Sequence, residues 1–294
     1  MVRPLVSVGV PVHNGMPHIE ATLRACLDDV DGLEVVVSDN ASTDGTSEVV
    51  RDLAVDDPRL RHEPTDDLLP VLDNFRRCVA LTSGEFFRWN GADDWPGPGL
   101  QAAALGALRS RPDAVGVVTD VQFVDGEGRT GLRHREALHG ADGDDPLRRL
   151  HAVLWGLRSS STLAFTLMRR SALDRTGLLR DIPEASKVLA AELALAGALV
   201  AVPDVVLFRT FADEHRTRDH WVWLDPRRNA DRRPLATPRQ VRHHLAAVSR
   251  ADLSPARRLA GWADVMAALT VRRTAGKVGA VRRRVTGARW EAPV

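Results

Sequence analysis

Short apolar runs and helical segments alternate through the first 124 residues, and this alternation constrains the fold more strongly than any other feature. Valine-rich or aromatic runs bounded by turn-forming residues are typical of buried strands. Strands that alternate with helices build a mainly parallel sheet with helices on both faces. We therefore predict an α/β fold. The predicted strands are residues 5–10, 33–38, a short run near 60, 84–90 and 115–124, and the predicted helices are residues 17–27, 46–53, 70–81 and 100–108.

The second half of the chain is less regular. Residues 125–145 are rich in Gly, Asp, Arg and His and predict a long exposed loop, which in compact domains is often a lid or a binding loop. Residues 161–173 predict a strand that leads into a helix, and residues 184–197 predict a helix. Residues 198–209 predict a paired strand or a hairpin. After a stretch rich in proline and charge, we expect two or three arginine-rich helices up to about residue 285.

Charge is unevenly distributed along the chain. The net charge is +1, but residues 227–294 carry +12 and the residues before them carry −11. Such a basic tail is expected to contact an anionic surface, or the acidic body of its own or another subunit.

The cysteines and the apolar runs indicate the compartment. Cys26 and Cys78 have no CxxC or zinc spacing, so we expect both to be small buried hydrophobic residues on helices. The chain opens on a predicted strand rather than a signal peptide, and its apolar runs are shorter than the roughly 18 residues that span a bilayer. We therefore expect a reduced, cytoplasmic protein.

Polar segments follow three of the predicted strands at the point where each strand ends. PVHNG follows the first strand, and there Pro11 is expected to stop strand pairing ahead of a helix whose N-terminal amides suit phosphate. SDNASTDGT follows the second strand, and GADDW follows FFRWN. Open α/β sheets bind ligands at the carboxyl ends of their strands. Each segment alone is also compatible with an ordinary strand-to-helix turn.

Asp93 and Asp94 are adjacent carboxylates. They repel each other unless a cation lies beside them, and Mg²⁺ or Mn²⁺ shared with substrate phosphates is the natural partner. The alternative is a solvated helix N-terminus, where two acids favour the helix dipole.

The order of these segments resembles the family 2 glycosyltransferases of the GT-A fold. It is carried by VSVGVPVHNG, VVVSDNASTDGT, a helix with Asn74 before SGEFFRW, and ADD. The resemblance is strong over residues 5–96 and weaker to about residue 215. It implies a GT-A-like, Rossmann-like sheet in a nucleotide-sugar-binding catalytic domain, 1–225, followed by a basic helical C-terminal extension, 226–294.

The resemblance implies a nucleotide site at the ends of the first two strands. Asp39 would accept a hydrogen bond from the base, most often uracil, and the segment after the first strand would flank base and ribose. Asn74 either lines the same pocket or has a structural role in its helix. The residues implied in nucleotide binding are Pro11, Val12, His13, Asn14, Asp39, Asn40, Ser42, Asn74 and Asp93.

The resemblance also implies a divalent metal, Mn²⁺ or Mg²⁺, held by Asp94 and Asp93 beside the diphosphate. Gly91 departs from the family pattern, because many relatives carry a first Asp there. His215 is a third candidate ligand, near the place of an Arg-x-x-His element in relatives. Its spacing is irregular, and a surface role is the alternative.

The general base is not where the family has it. An inverting transfer needs a carboxylate that takes the proton from the acceptor hydroxyl. At the start of the helix where the family carries this Asp, the chain has Ser186 or Lys187. Glu184 is the nearest carboxylate and the first candidate, followed by Asp181, whereas Glu192 lies about two turns into the helix. The alternative role of Glu184 is that of a first-turn acid.

The resemblance thus implies an inverting, metal-assisted glycosyltransferase of the hexosyltransferase type. It would use a nucleotide-diphosphate sugar, UDP-sugars being favoured, and a glycan, lipid-linked or small-molecule acceptor. The alternative is a nucleotide-sugar-binding protein that has lost transferase activity. A third hypothesis makes the basic tail the functional part, as a module that binds nucleic acid or an anionic membrane. The tail lacks a nucleic-acid fold signature, so no nucleic-acid partner is expected. GxxxxGK[ST], GxGxxG and HExxH are absent from the sequence, which disfavours ATPases, dehydrogenases and metalloproteases.

One stripe of the tail predicts an apolar helix face. Its residues recur at spacings of three and four. Two roles are open: packing against the body or a second subunit as a homodimer, or peripheral contact with the anionic inner face of a membrane, at about 1 kcal/mol per basic group. The stripe consists of Leu259, Trp262, Ala263, Met266 and Leu269.

Overall fold

The computed structural model describes residues 3–27, 30–124, 130–134, 138–156, 162–182, 185–210 and 238–286. The strands are β1 Val6–Val12, β2 Leu33–Asp39, β3 Leu60–Pro64, β4 Phe86–Trp89, β5 Trp95–Pro96, β6 Ala114–Val124, β7 Thr130–His134, β8 Met168–Arg169 and β9 Ala198–Thr210. The α-helices are α1 Ile19–Cys26, α2 Thr46–Asp56, α3 Val71–Leu81, α4 Leu100–Ser110, α5 Pro146–His151, α6 Arg170–Leu173, α7 Ala185–Ala196, α8 Pro238–Arg250 and α9 Pro255–Thr286.

The strands form one sheet in the order β3-β2-β1-β4-β8-β6-β9-β5, with β7 paired to β6 off this path. Neighbours are parallel from β3 through β4, and β6 and β9 are also parallel. The short strands β5, β7 and β8 run antiparallel to their neighbours. The predicted α/β fold with a mainly parallel sheet flanked by helices is therefore confirmed.

The parallel strands β1 and β2 are buried along their whole lengths, as expected for strands covered on both faces. Helix α3 packs closely on β1 because position 9 is glycine, where a Cβ would lie 2.6 Å from the Cβ of Cys78. Cys78 and Cys26 are free, buried thiols on helices, which confirms their predicted role. Burial raises the pKa of Cys26 to about 11 and that of Cys78 to about 12, so both thiols are neutral.

Two local predictions are wrong. Pro11 does not stop pairing, because β1 continues to Val12 with Pro11 opposite Ser38. On its other side β4 pairs with β1 only as far as Gly9, so the missing proline amide loses no ladder bond there. The predicted loop 125–145 contains β7, which occupies the edge of β6 that β8 leaves open beyond Gly116.

Residues 198–209 lie within a single strand rather than a hairpin. The whole of β9 runs parallel to β6, and its register skips from Val202 to Val206. Asp204, inside this irregularity, has a φ of 69°. The strand nevertheless continues to Thr210 and so delivers its last residues to the carboxyl end of the sheet.

The C-terminal helices α8 and α9 pack on α5 and α7 through a small core of their own. The buried face of α9 includes Val265, Ala268 and Leu269, so it is offset from the predicted stripe. Trp262 is half-buried and donates from Nε1 to the Leu245 carbonyl at 3.2 Å. The stripe residues Leu259, Ala263 and Met266 are exposed. Among the described helices, none has both the length and the hydrophobicity that a membrane span requires.

Candidate functional site

The end of β2 holds the Asp39 carboxylate among protein donors. Its Oδ1 accepts from the Ser42 amide at 3.1 Å, and its Oδ2 accepts from the Ser47 hydroxyl and, at 3.1 Å, from His62 Nε2. Burial acts to raise the pKa of Asp39, but hydrogen bonds from His62, Ser42 and Ser47 outweigh it and hold the pKa well below its ordinary range. The Ser42 hydroxyl, like its amide, is among the donors that hold this carboxylate. Asp39 is a fixed negative charge at this edge of the sheet.

The loop after β1 is tied to the loop after β2. His13 donates from Nδ1 to the Asn40 carbonyl at 2.8 Å. The Asn14 amide donates to Ser42 Oγ at 2.9 Å, and Asn14 Oδ1 accepts from the Thr43 amide at 2.8 Å. Asn14 has a φ of 56°, a left-handed conformation that asparagine tolerates better than most residues. The two predicted halves of the nucleotide site are therefore one rigid unit.

The amides that precede α1 are occupied by side chains of this same unit. The Gly15 amide donates to Thr46 Oγ1 at 2.8 Å, and the Met16 amide donates to Asp44 Oδ2 at 2.9 Å. The expectation that amides at this turn receive a phosphate does not fit these two, because the DGT side chains already satisfy them.

Asn40 and Asn74 brace the segments beside Asp39. The Asn40 side-chain amide exchanges two hydrogen bonds with the backbone of Leu69, at 2.7 and 2.9 Å. Asn74 Oδ1 accepts from Ser38 Oγ at 2.5 Å, and Nδ2 donates to the Ser38 carbonyl at 3.0 Å. Both asparagines are buried. Of the two roles predicted for Asn74, the structural one matches this geometry.

The pair Asp93 and Asp94 is fastened to the end of β9. Thr210 donates from its amide to Asp94 Oδ1 at 3.1 Å and from its hydroxyl to the Asp93 carbonyl at 2.5 Å. Next along the chain, the rings of Trp95 and Phe208 stack at 5.5 Å where β5 pairs with β9. The acid pair and the last residues of β9 thus form one local structure.

The side chains at this place do not fit a divalent cation in their present arrangement. Both oxygens of Asp94 are engaged, Oδ1 by the Thr210 amide and Oδ2 by Arg209 Nε at 3.0 Å. Within the described ranges, no three His, Cys, Asp or Glu side chains come together as a metal-binding cluster. The third predicted ligand, His215, lies outside the described residues.

The candidates for the general base lie around the start of α7. Asp181 is exposed, Ser186 is half-buried and Lys187 is buried. Glu184 falls outside the described residues. Asp181 is therefore the one predicted base whose position the structure gives, on the exposed segment that leads into α7.

Glu192 is a buried carboxylate with a different task. It accepts from both terminal nitrogens of Arg180, at 2.6 and 3.0 Å, and from the Gly177 amide at 3.1 Å. Arg250, at the end of α8, also donates to Glu192, at 2.5 Å. The carboxylate therefore links the segment 177–182, helix α7 and the C-terminal helices.

Sequence reasoning missed two residues of the site. His62 donates to Asp39 from β3, and Arg209 donates to Asp94 from β9. Neither contact follows from local pattern, because both depend on strand order. The one available signal for Arg209 was its place at the end of the apolar run VVLFR, the position where ligand-binding residues gather in α/β sheets.

Solved structures show the same fold with bound nucleotide sugars. TarS of S. aureus, in complex with UDP-GlcNAc, is 17% identical with a TM-score of 0.64 and covers 89% of this chain and 71% of its own. The mannosyltransferase PcManGT from Pyrobaculum calidifontis, in complex with GDP-Man and Mn²⁺, is 21% identical with a TM-score of 0.56 and covers 98% and 80%. At these identities the likeness shows the fold, which is of the GT-A type.

The sequence comparisons identify the family. An uncharacterized protein of Mycobacterium tuberculosis is 29% identical over 194 residues, which cover 61% of this chain and 58% of that protein. The chain thus matches less than two thirds of that relative's length. The profile described as "Glycosyl transferase family 2" matches residues 7–177, more than half of the sequence. The chain belongs to glycosyl transferase family 2.

Proposed function

We propose that this protein transfers a sugar from a nucleotide-diphosphate sugar to a hydroxyl group of an acceptor, with inversion at the anomeric carbon. The observation that carries the proposal is the fixed Asp39 carboxylate, set among the loops after β1 and β2 at the carboxyl end of the sheet. This unit lies inside the segment that matches the family.

The nucleotide would lie across the unit formed by the two loops. Pro11 and Val12 end β1, and His13 and Asn14 follow them beside base and ribose. The resemblance implies that Asp39 accepts a hydrogen bond from the imide N–H of uracil, so we favour UDP-sugars. Asn40 and Ser42 would keep this pocket in shape, since each already holds a neighbouring loop.

The chemical step would be a direct displacement. A carboxylate takes the proton from the acceptor hydroxyl, and the oxygen bonds to the anomeric carbon as its bond to the diphosphate breaks. The electron pair leaves with the nucleotide diphosphate, whose growing negative charge needs positive charge nearby. Glu184 is our first candidate for the base and Asp181 the second. Inversion follows because the acceptor attacks opposite the leaving group.

The resemblance also implied a divalent metal held by Asp93, Asp94 and His215, and PcManGT is in complex with Mn²⁺. We leave a metal out of the proposal, because both oxygens of Asp94 are engaged by Thr210 and Arg209. A hexose as the transferred sugar, a glycan, lipid-linked or small-molecule acceptor, and a cytoplasmic location remain predictions. So do peripheral contact with the inner membrane face and a homodimer through the C-terminal helices.

Saturation-transfer NMR on the full chain with UDP-GlcNAc, UDP-glucose and GDP-mannose tests donor binding. Binding of a nucleotide sugar is the expected result, and no binding of any would refute the proposal. Release of nucleotide diphosphate with an acceptor then separates a transferase from the second candidate function, a binding protein without turnover. The binding protein is favoured by one observation: the chain has Ser186 and Lys187 at the place where the family carries its catalytic Asp.

Two matched variants test the base. Glu184→Gln should lower kcat by about two to four orders of magnitude, the span expected for losing a general base, with donor affinity nearly unchanged. Asp181→Asn should then have a small effect. The reverse result would assign the base to Asp181.

A further inference from the structure

The carboxylate of Asp94 already has a cationic partner. Arg209 donates from Nε to Asp94 Oδ2 at 3.0 Å, and their side chains are only 17% and 3% exposed. The guanidinium also lies over the ring of Phe165, 4.5 Å from its centre, in a cation–π contact. A pair this well shielded from water is not screened like a surface ion pair. A divalent ion that used Asp94 would have to displace an arginine.

Gly91 makes room for this pair. A Cβ at position 91 would lie 2.6 Å from Asp94 Oδ2 and 3.3 Å from Asp93 Oδ1. The first Asp that many relatives carry here would therefore occupy the place of the Asp94 carboxylate. The pairing of Asp94 with Arg209 therefore requires glycine at position 91, where the chain departs from the family pattern.

A second arginine lies close enough to Asp94 to interact with its charge. Arg88 on β4 is fully buried, and its Nη1 has no hydrogen-bond partner among the residues that the structure describes. Burial lowers the pKa of Arg88, and the negative charges of Cys26, when ionised, and of Asp94 oppose that shift. Because the Cys26 thiol is neutral, Asp94 is the negative charge that stabilises the charged form of Arg88. Arg209 and Arg88 thus both offset the negative charge of Asp94.

We propose that Arg209, held by Asp94, takes the place of the divalent cation and supplies the positive charge for the diphosphate of the donor. A guanidinium presents five N–H donors in a rigid fork that matches phosphate oxygens, so it can bind both a carboxylate and a phosphate. Binding and turnover of the donor then need no divalent ion. The inference rests on the proposed function, and it reverses the metal dependence expected from the resemblance.

Calorimetry on the full chain, with UDP and GDP as probes, tests the inference. We expect the Kd for the tighter nucleotide to agree within about twofold between a buffer with EDTA and one with Mn²⁺. Binding that is lost in EDTA and restored more than tenfold by Mn²⁺ would overturn the inference while leaving the proposed function intact. No binding in either buffer would refute both.

Variants identify the residue responsible. Arg209→Gln should weaken UDP binding about ten- to a hundredfold in EDTA, but weaken UMP binding far less, because the second phosphate is the group it would contact. Arg111→Gln is the control, since Arg111 pairs with exposed Asp113 before β6 and should leave both affinities unchanged. Equal losses for UDP and UMP would indicate a merely structural role, and unchanged UDP affinity would overturn the inference. Arg209→Lys keeps the charge and should recover part of the loss, which a folding defect would not explain.

Discussion

Two buried aspartates at the carboxyl end of the same sheet are satisfied in different ways. Asp39, at the end of β2, accepts from a backbone amide, a hydroxyl and an imidazole. Asp94, which precedes β5, accepts from a backbone amide and from the guanidinium of Arg209. The first keeps its negative charge in a setting of largely neutral donors, and the second is neutralised by its partner. The same type of side chain is therefore a negative charge at one place and part of a neutral ion pair at the other.

The difference follows from how each half of the site is assembled. The surroundings of Asp39 come from the contiguous segment 38–62, in which β2 and β3 are neighbours. The surroundings of Asp94 join residues 93–96 to residues 208–210 through the pairing of β5 with β9. The half around Asp39 suits recognition of hydrogen-bond donors on a base. The half around Asp94 suits an anion better, because a guanidinium neutralises the Asp94 carboxylate and presents further N–H donors.

Asp39→Ala should have the largest effect. It leaves the Ser42 amide, the Ser47 hydroxyl and His62 without their acceptor inside a buried site, so we expect roughly 3 kcal/mol less unfolding free energy. UDP affinity should fall about tenfold or more. Denaturant unfolding and calorimetry measure the two quantities. Unchanged UDP affinity in the variant, once shown to be folded, would remove Asp39 from base recognition.

The pH dependence of stability should separate the charge of Asp39 from its shape. Its folded pKa lies below the ordinary value of about 3.9, so its contribution is present above that pH and is lost as the pH falls through the folded pKa. Asp39→Asn mimics the protonated group. The difference in unfolding free energy between wild type and Asp39→Asn should shrink as the pH falls below about 4. A difference that grows over that range would contradict the sign of the shift.

The half of the site around Asp39 could be predicted from the sequence, whereas the partner of Asp94 could not. The half around Asp39 is encoded locally, because the valine run of β2 and the turn formers after it place Asp39, Asn40 and Ser42 within four residues. Strand order, by contrast, decides that Arg209 meets Asp94 across 115 positions, and no local pattern reports strand order. The adjacency of Asp93 and Asp94 did signal a nearby cation. It did not signal that the cation belongs to the chain itself.

The apolar stripe of the tail was misplaced for a related reason. Periodicity finds a helix face but not the partner that covers it. In α9 the small residues Gly261 and Ala268 face the body beside Val265, whereas the larger Leu259 and Met266 are exposed. A Cβ at Gly261 would lie 2.9 Å from a methyl group of Val248, so close helix packing selects a small residue there rather than a large apolar one.

Gly91→Ala should disrupt the half around Asp94 although it replaces no charged residue. The new Cβ would lie 2.6 Å from Asp94 Oδ2, so the carboxylate must move away from Arg209. We expect a loss of about 1–2 kcal/mol in unfolding free energy, as for other overpacked sites. UDP affinity should fall several-fold in EDTA. Gly106→Ala is the matched control, because a Cβ there meets nothing within 4 Å in α4 and should stabilise the helix slightly.

The smallest effects should come from a third buried carboxylate, Glu192, which extends the comparison away from the nucleotide. Like Asp94, it is paired with guanidinium groups, but its two partners differ in exposure: the Arg180 side chain is 17% exposed and that of Arg250 is 55% exposed. Water screens the outer pair, so Arg250→Ala should cost under about 1 kcal/mol of unfolding free energy. Arg180→Ala should cost more, about 1–2 kcal/mol, because it removes two hydrogen bonds to a buried charge.

Arg180 also belongs to the segment that carries Asp181. Its loss should therefore raise the KM for the acceptor more than that for the donor, whereas Arg250→Ala should change neither. Equal losses of stability in the two variants would show that burial does not rank these pairs, and would weaken the same argument for Arg209 and Asp94.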